Sequence, residues 1–128
     1  MSDKKYKILT EFVSDLSSET KDVETYIFVK DNISKYNLGI DIISKALKDK
    51  VIEIKTNFKF EDKTDNPKKS YFEIIYTTII KVDEEIKEKK DLERIILCDV
   101  QNEIYPRIEK VFINLLETSG YKGIKFDK

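Results

Sequence analysis

Apolar residues fall on both faces of the stretch Tyr71-Phe72-Glu73-Ile74-Ile75-Tyr76-Thr77-Thr78-Ile79-Ile80. Its β-branched and aromatic content predicts a strand, and a strand that is apolar on both faces needs two covers. A long helix near the C-terminus can supply one, and so short a chain has little left for the other, so a cover from outside the chain is expected. Upstream the pattern has period two. Tyr6, Ile8, Thr10 and Phe12 alternate with Lys7, Leu9, Glu11 and Val13, which predicts a first strand that stops at Asp15-Leu16-Ser17-Ser18-Glu19. From there to about Asn37 the chain is irregular and polar apart from Tyr26-Ile27-Phe28-Val29, and a loop is expected.

Leu38, Ile40 and Ile42 alternate again as a second strand, and Lys48-Asp49-Lys50 makes a turn. The third strand has the clearest pattern, with Ile52, Ile54, Thr56, Phe58 and Phe60 on one face and Glu53, Lys55, Asn57, Lys59 and Glu61 on a wet one. Asp65-Asn66-Pro67 is a turn signal that would join it as a hairpin to the fourth strand, which ends near Val82. Asp83 to Lys90 reads as a solvated charge run, a linker or the exposed first turns of a helix.

From about Leu92 the period becomes helical, and Ile104, Ile108, Val111, Phe112, Leu115 and Leu116 form an apolar stripe. Pro106 suits a helix start, so the segment is expected to break there into a short helix and a long one from about Tyr105 to Ser119, stopped by Gly120. Ile108, Val111, Phe112 and Leu115 are expected in the core, with one edge of the stripe against another subunit. The elements together predict an α+β fold in a single domain over residues 1–128: a four-stranded antiparallel sheet with a long C-terminal helix packed on one face.

Charge and composition narrow the chemistry. The 24 basic and 25 acidic residues leave a formal net charge of -1, without the basic excess of a general nucleic-acid binder. No apolar run reaches membrane-spanning length, and Met1-Ser2-Asp3-Lys4-Lys5 leads into alternating sequence, so a soluble cytoplasmic protein is expected. Histidine is absent, which removes Ser-His-Asp and Cys-His nucleophile systems and most zinc sites. Gly39, Gly120 and Gly123 make no phosphate-cradling pattern. The expectation is therefore no enzyme, no cofactor and no metal. Cys98, in Ile95-Ile96-Leu97-Cys98, is expected to be a small buried hydrophobe. An enzyme alternative rests on Asp41 with Glu53-x-Lys55 on the next strand, the way some metal-dependent nucleases hold Mg²⁺. Such spacings arise by chance in a chain so rich in Lys and Glu, and Glu53 and Lys55 fall on the wet face.

The order of strand, irregular loop, three strands and a helix opened by proline resembles the SecB family of protein-export chaperones. Tyr6 to Glu19, read as Tyr-x-Ile-x-x-x-Phe-Val-x-Asp-Leu-Ser-x-Glu, is similar to the family's first strand and following turn. Leu38-Gly39-Ile40-Asp41-Ile42 resembles its second strand, Tyr71-Phe72-Glu73-Ile74 its fourth, and Ile104-Tyr105-Pro106-Arg107 the opening of its main helix. The chain departs from the pattern at Ser18, where a Phe is usual, and at Thr77-Thr78, where glycines are common. It also ends at Phe126-Asp127-Lys128, before the second C-terminal helix and tail of typical members, which weakens the expectation of docking on the export motor SecA.

The resemblance implies a homotetramer, a dimer of dimers with sheets outside and helices between, that holds unfolded polypeptides in apolar grooves without ATP. By position, Leu38, Ile40 and Ile42 match residues that line the client groove. Ile75 and Ile79, on the second face of the fourth strand, gain a client-binding purpose by the same resemblance. Asp15, Glu19 and Glu73 match acidic positions that meet SecA, with Tyr71 beside them. Two other readings stay open: a SecB-like chaperone dedicated to one partner such as an antitoxin, and a small interaction domain whose second apolar face is only an oligomer interface.

Overall fold

Period-two patterning becomes four strands in the computed structural model, which describes residues 5–62, 70–124 and 126. They are β1 (Tyr6–Ser18), β2 (Asn37–Ala46), β3 (Val51–Glu61) and β4 (Tyr71–Val82), all antiparallel, in the order β1-β4-β3-β2. Phe58 lies opposite Ile40 on one side and Ile74 on the other, so the even-numbered residues of β2, β3 and β4 share one face. That face carries the buried Ile54, Phe58, Phe72, Ile74 and Ile80. The odd-numbered residues form the outer face. The predicted alternation of β3 is observed, and β3 pairs directly with β4 as expected; the turn signal Asp65-Asn66-Pro67 lies outside the described residues.

β1 departs from simple alternation. Tyr6 and Ile8 lie opposite Val82 and Ile80 on the inner face, but Leu9 is an extra residue, so Thr10 and Phe12 lie opposite Ile79 and Thr77 on the outer face. A second extra residue, Ser14, returns Leu16 to the inner face opposite Ile74. Tyr6, Ile8, Thr10 and Phe12 therefore do not share one face, and the strand runs on past Val13 to Ser18.

The expected loop before β2 contains a helix, α1 (Val23–Asn32), followed by a 3₁₀ turn at Ile33–Lys35. Asp22 caps α1, its Oδ1 accepting from the Thr25 N–H at 2.8 Å. Its pattern hides it: only Thr25 and Val29 are buried, whereas Val23 and Ile27 are 71% and 51% exposed.

The C-terminal helix covers the inner face. α2 (Lys89–Arg94), a π-helical turn (Ile95–Asp99) and α3 (Val100–Thr118) form one helical stretch of 30 residues. Val100, Ile104, Ile108, Phe112 and Leu116 are all 0% exposed, a four-residue step that keeps one face on the sheet, while Val111 and Leu115 flank it half-buried. The Phe112 ring meets Phe58 edge-on at 6.1 Å.

Two expectations about this helix are overturned. Pro106 lies inside α3 and does not divide it. The proline removes the N–H that would bond the Asn102 carbonyl, but Asn102 is exposed, so water can take its place and sheet packing on both sides carries the helix through. Cys98 is exposed, as is Leu97 at 50%, because only one helix face meets the sheet and it takes Ile95 and Ile96.

Thr78 is fully buried on the inner face opposite Ile54, and its Oγ1 has no hydrogen-bond partner among the described residues. Thr78→Val, which keeps the shape and removes the hydroxyl, should therefore stabilise the fold by about 1–2 kcal/mol. The check is a higher urea midpoint at unchanged slope.

A candidate peptide-binding groove

β2 is an edge strand, and its inner-face residues lie at the margin of what the helix covers. Leu38 and Ile42 are half-buried and Ile40 is 45% exposed. Beside them opens a groove of about 640 Å³. Leu38, Ile40 and Phe60 come to it from the sheet, Tyr105 from α3, Ile33 and Tyr36 from the segment joining α1 to β2, and Ile124 and Phe126 from the chain beyond α3. No Asp, Glu, Lys or Arg is among the described residues that line it.

Its two phenols stay neutral. Tyr36 is 6% exposed, donates from Oη to the Ser70 carbonyl at 2.6 Å, and its ring leans on Phe60 at 5.2 Å. Burial raises its pKa, partly offset by that hydrogen bond. Burial also raises that of Tyr105, with Glu109 adding to it, and the Tyr105 ring sits 5.4 Å from Phe58. An uncharged, aromatic-walled groove favours apolar side chains by area and not by directed polar contacts.

The groove's far end is built by the turn after α3. Gly120 has φ of 101°, and a Cβ there would stand 2.6 Å from Tyr26 Cε1, so only glycine fits beneath that ring. Tyr26 Oη donates to the Gly120 carbonyl at 3.0 Å and its ring stacks on Tyr121 at 5.2 Å. The crossover helix α1 and the end of α3 are thereby fastened together.

The sequence-derived client residues do not form one surface. Leu38 and Ile40 line the groove with Ile42 next in line, whereas Ile75 and Ile79 lie on the outer face, half-buried among Asp15, Asn57 and Glu53. Asp15, Tyr71 and Glu73 do share that outer face, and Glu19 lies just past the end of β1. Glu73 accepts from Asn57 Nδ2 at 2.9 Å, and Lys59 Nζ stands 5.0 Å from the centre of the Tyr71 ring. Asp41 lies opposite Asn57, four residues along β3 from Glu53, which is about 13 Å of strand, so the two carboxylates are not brought together. Of the helix residues, Ile108 and Phe112 are pure core. Sequence reasoning misses Ile33, Tyr36, Tyr105, Ile124 and Phe126 as groove residues; only Tyr36 carries a signal, extending the alternation of Leu38, Ile40 and Ile42 by one step.

The opposite edge of the sheet is β1, with Leu9, Phe12, Val13 and Leu16 each 40–49% exposed. A polar network ties it to α3. Tyr76 Oη donates to Glu11 Oε1 at 2.5 Å, Arg107 Nη1 to Glu11 Oε2 at 2.6 Å, and Tyr6 Oη to Glu103 Oε1 at 2.6 Å. Burial, then the Glu11 carboxylate, push the Tyr76 phenol up from 10.0 to about 12, and burial with Glu103 moves Tyr6 the same way. The folded chain thus holds these protons more tightly than the unfolded one, a stabilisation that is whole below pH 10 and lost as pH rises towards 12. The urea midpoint should fall across that window, and Tyr76→Phe should flatten part of the fall.

Residues 1–128 match the family model for SecB, described as preprotein translocase subunit SecB. The chain belongs to the SecB family. SecB proteins are protein-export chaperones. A Pelagibacter ubique (strain HTCC1062) protein named as a SecB of protein export is 58% identical over 123 residues, 96% of this chain and 88% of its own. Among solved structures, a Mycobacterium tuberculosis SecB-like chaperone in complex with a ChAD peptide from the HigA1 antitoxin superposes with a TM-score of 0.71 at 8% identity. It covers 97% of this chain and 90% of that one, and at this identity it establishes the SecB-like fold alone. A Streptococcus agalactiae protein of unknown function aligns at a TM-score of 0.54 and 12% identity, over 96% of this chain and 97% of its own.

Proposed function

We propose that this SecB-family chain is an ATP-independent holdase of the cytoplasm, which takes apolar segments of unfolded polypeptides into the groove beside β2. The observation that carries the reading is the uncharged groove lined by Leu38, Ile40, Phe60 and Tyr105. Unfolded clients bring little fixed shape, so affinity arises from buried apolar area and from several grooves acting on one chain. The exposed apolar edge of β1 favours assembly with further copies, because a long unpaired edge strand is a template for pairing, and the family's homotetramer would supply that multivalency. The outer face with Asp15, Tyr71 and Glu73, and Glu19 beyond it, is proposed as the surface for a SecA-type export partner. A 58% identical relative named for protein export favours this over service to a single antitoxin.

The test is suppression of aggregation of a chemically unfolded client, run beside a light-scattering mass. Holding by a tetramer, without nucleotide, is the expected result. Tetramers with no affinity for unfolded chains would leave only an interaction domain, and capture of one co-purifying partner in place of many clients would select the dedicated chaperone.

A further inference from the structure

We propose that a lysine-rimmed pocket at the hairpin end of β2 is a second anchor for clients, one that selects an apolar residue flanked by carboxylates. The inference rests on the groove beside β2 being the client site. The pocket, about 410 Å³, opens between the turn that joins β2 to β3 and the chain that leads from β4 into α2. Ile52, Val82 and Ile86, only 6%, 2% and 7% exposed, give it an apolar lining, and Leu47 stands beside them 46% exposed. An apolar side chain is held there by area, as in the first groove. The charge differs. Among the described residues, Lys50, Lys87 and Lys89 line the pocket against the single carboxylate of Glu88. Neither Lys87 nor Lys89 pairs with a carboxylate among the described residues. The surplus of positive charge is complementary to an anionic occupant.

Lys50 is a residue that its backbone does not favour. Its φ of 66° lies in the left-handed region, where glycine is unstrained and lysine is uncommon. The turn is pinned to β4 there, the Val82 N–H donating to the Lys50 carbonyl at 2.8 Å. The side chain is half-buried in the pocket wall, and Nζ donates to the Ile86 carbonyl at 2.5 Å. An ammonium has three donors, so two are left for a ligand. A strained position that brings a cation to an apolar pocket points to a use for the charge.

The two sites lie along one strand. Leu38 and Ile40 face the first groove, and Ile42, Ser44 and Ala46 follow on the same face, Ala46 opposite the pocket residue Ile52. From Ile40 to Ala46 is about 20 Å of strand, which about six extended client residues cross.

The probe is a fluorescein-labelled peptide with a central Leu-Ile-Phe block and, at each end beyond a six-residue Ser-Thr spacer, an Asp-Leu-Glu block. Two copies of the block make the result independent of chain direction. Its partner carries Asn-Leu-Gln instead. By anisotropy the acidic peptide should bind the full chain about tenfold more tightly, an advantage that shrinks from about 0.05 to about 0.5 M NaCl. Lys50→Gly should lose most of that advantage with a urea midpoint equal or higher, because the backbone strain is relieved. Equal affinity of the two peptides overturns the anchor, as does an acidic advantage that survives both Lys50→Gly and the double variant Lys87→Gln, Lys89→Gln. Spacers cut to two residues should abolish the advantage, and one that persists overturns the two-anchor arrangement. Peptides that bind equally and are both lost in Leu38→Asp sink the anchor alone. Absence of binding by either peptide sinks the groove reading and the anchor with it.

Discussion

Phe112→Asp is expected to leave the chain unfolded, with helical circular dichroism largely lost and no cooperative urea transition. Phe112 is 0% exposed and touches Phe58 and Phe126 at the centre of the inner face. Losing a buried Phe costs about 3–5 kcal/mol, and burying a carboxylate without a cationic partner costs several more. Together these match the whole stability of an ordinary domain, about 5–15 kcal/mol. Phe112→Leu, which keeps most of the volume, should cost only about 1.5 kcal/mol and retain the transition. A cooperative Phe112→Asp protein with a native-like midpoint would show that the helix does not depend on this contact.

Ile40→Asp should separate function from fold. The residue is 45% exposed at the mouth of the groove, so the new carboxylate stays hydrated and the stability change should remain within about 1 kcal/mol. Binding is affected differently. The described lining of the groove has no formal charge, and a client segment laid against the substituted position would lose an apolar contact and strip water from a carboxylate. A loss of about 1.5–3 kcal/mol, roughly ten- to hundredfold in client affinity, is expected. Ile75→Asp, on the opposite face of the sheet, serves as the comparison. Normal holding by folded Ile40→Asp would remove the groove from the client site.

What could be read in the sequence follows the reach of local periodicity. β3 alternates without interruption from Ile52 to Phe60, and the four-residue step from Ile104 to Leu116 gives the helix its buried face, so both were legible. α1 was not, because Val23 and Ile27 point away from the core and leave no stripe. Pro106 misled because its local preference for a helix start is outweighed by sheet packing on both sides of it. Cys98 misled because a run of four apolar residues on a helix spans more than the one face that is buried. For the groove, the β2 alternation and the family resemblance placed Leu38 and Ile40. The wall beyond α3 was invisible, since Gly120 and Gly123, both at positive φ, redirect the chain in a way no periodicity encodes.

The two extra residues of β1 add up to one full pleat. Each alone inverts everything after it, and together they restore the original orientation at Leu16 while leaving Glu11 turned inward to Arg107 and Phe12 turned outward. The strand therefore works as a double frameshift. Loss of Leu9 alone would straighten the strand there and leave every later residue opposite the same β4 partner, and the same holds for Ser14. A relative shorter by one residue in this strand keeps its inside and outside, and what changes is only whether even or odd numbers face the helix, so an alternation counted across either position assigns the wrong face.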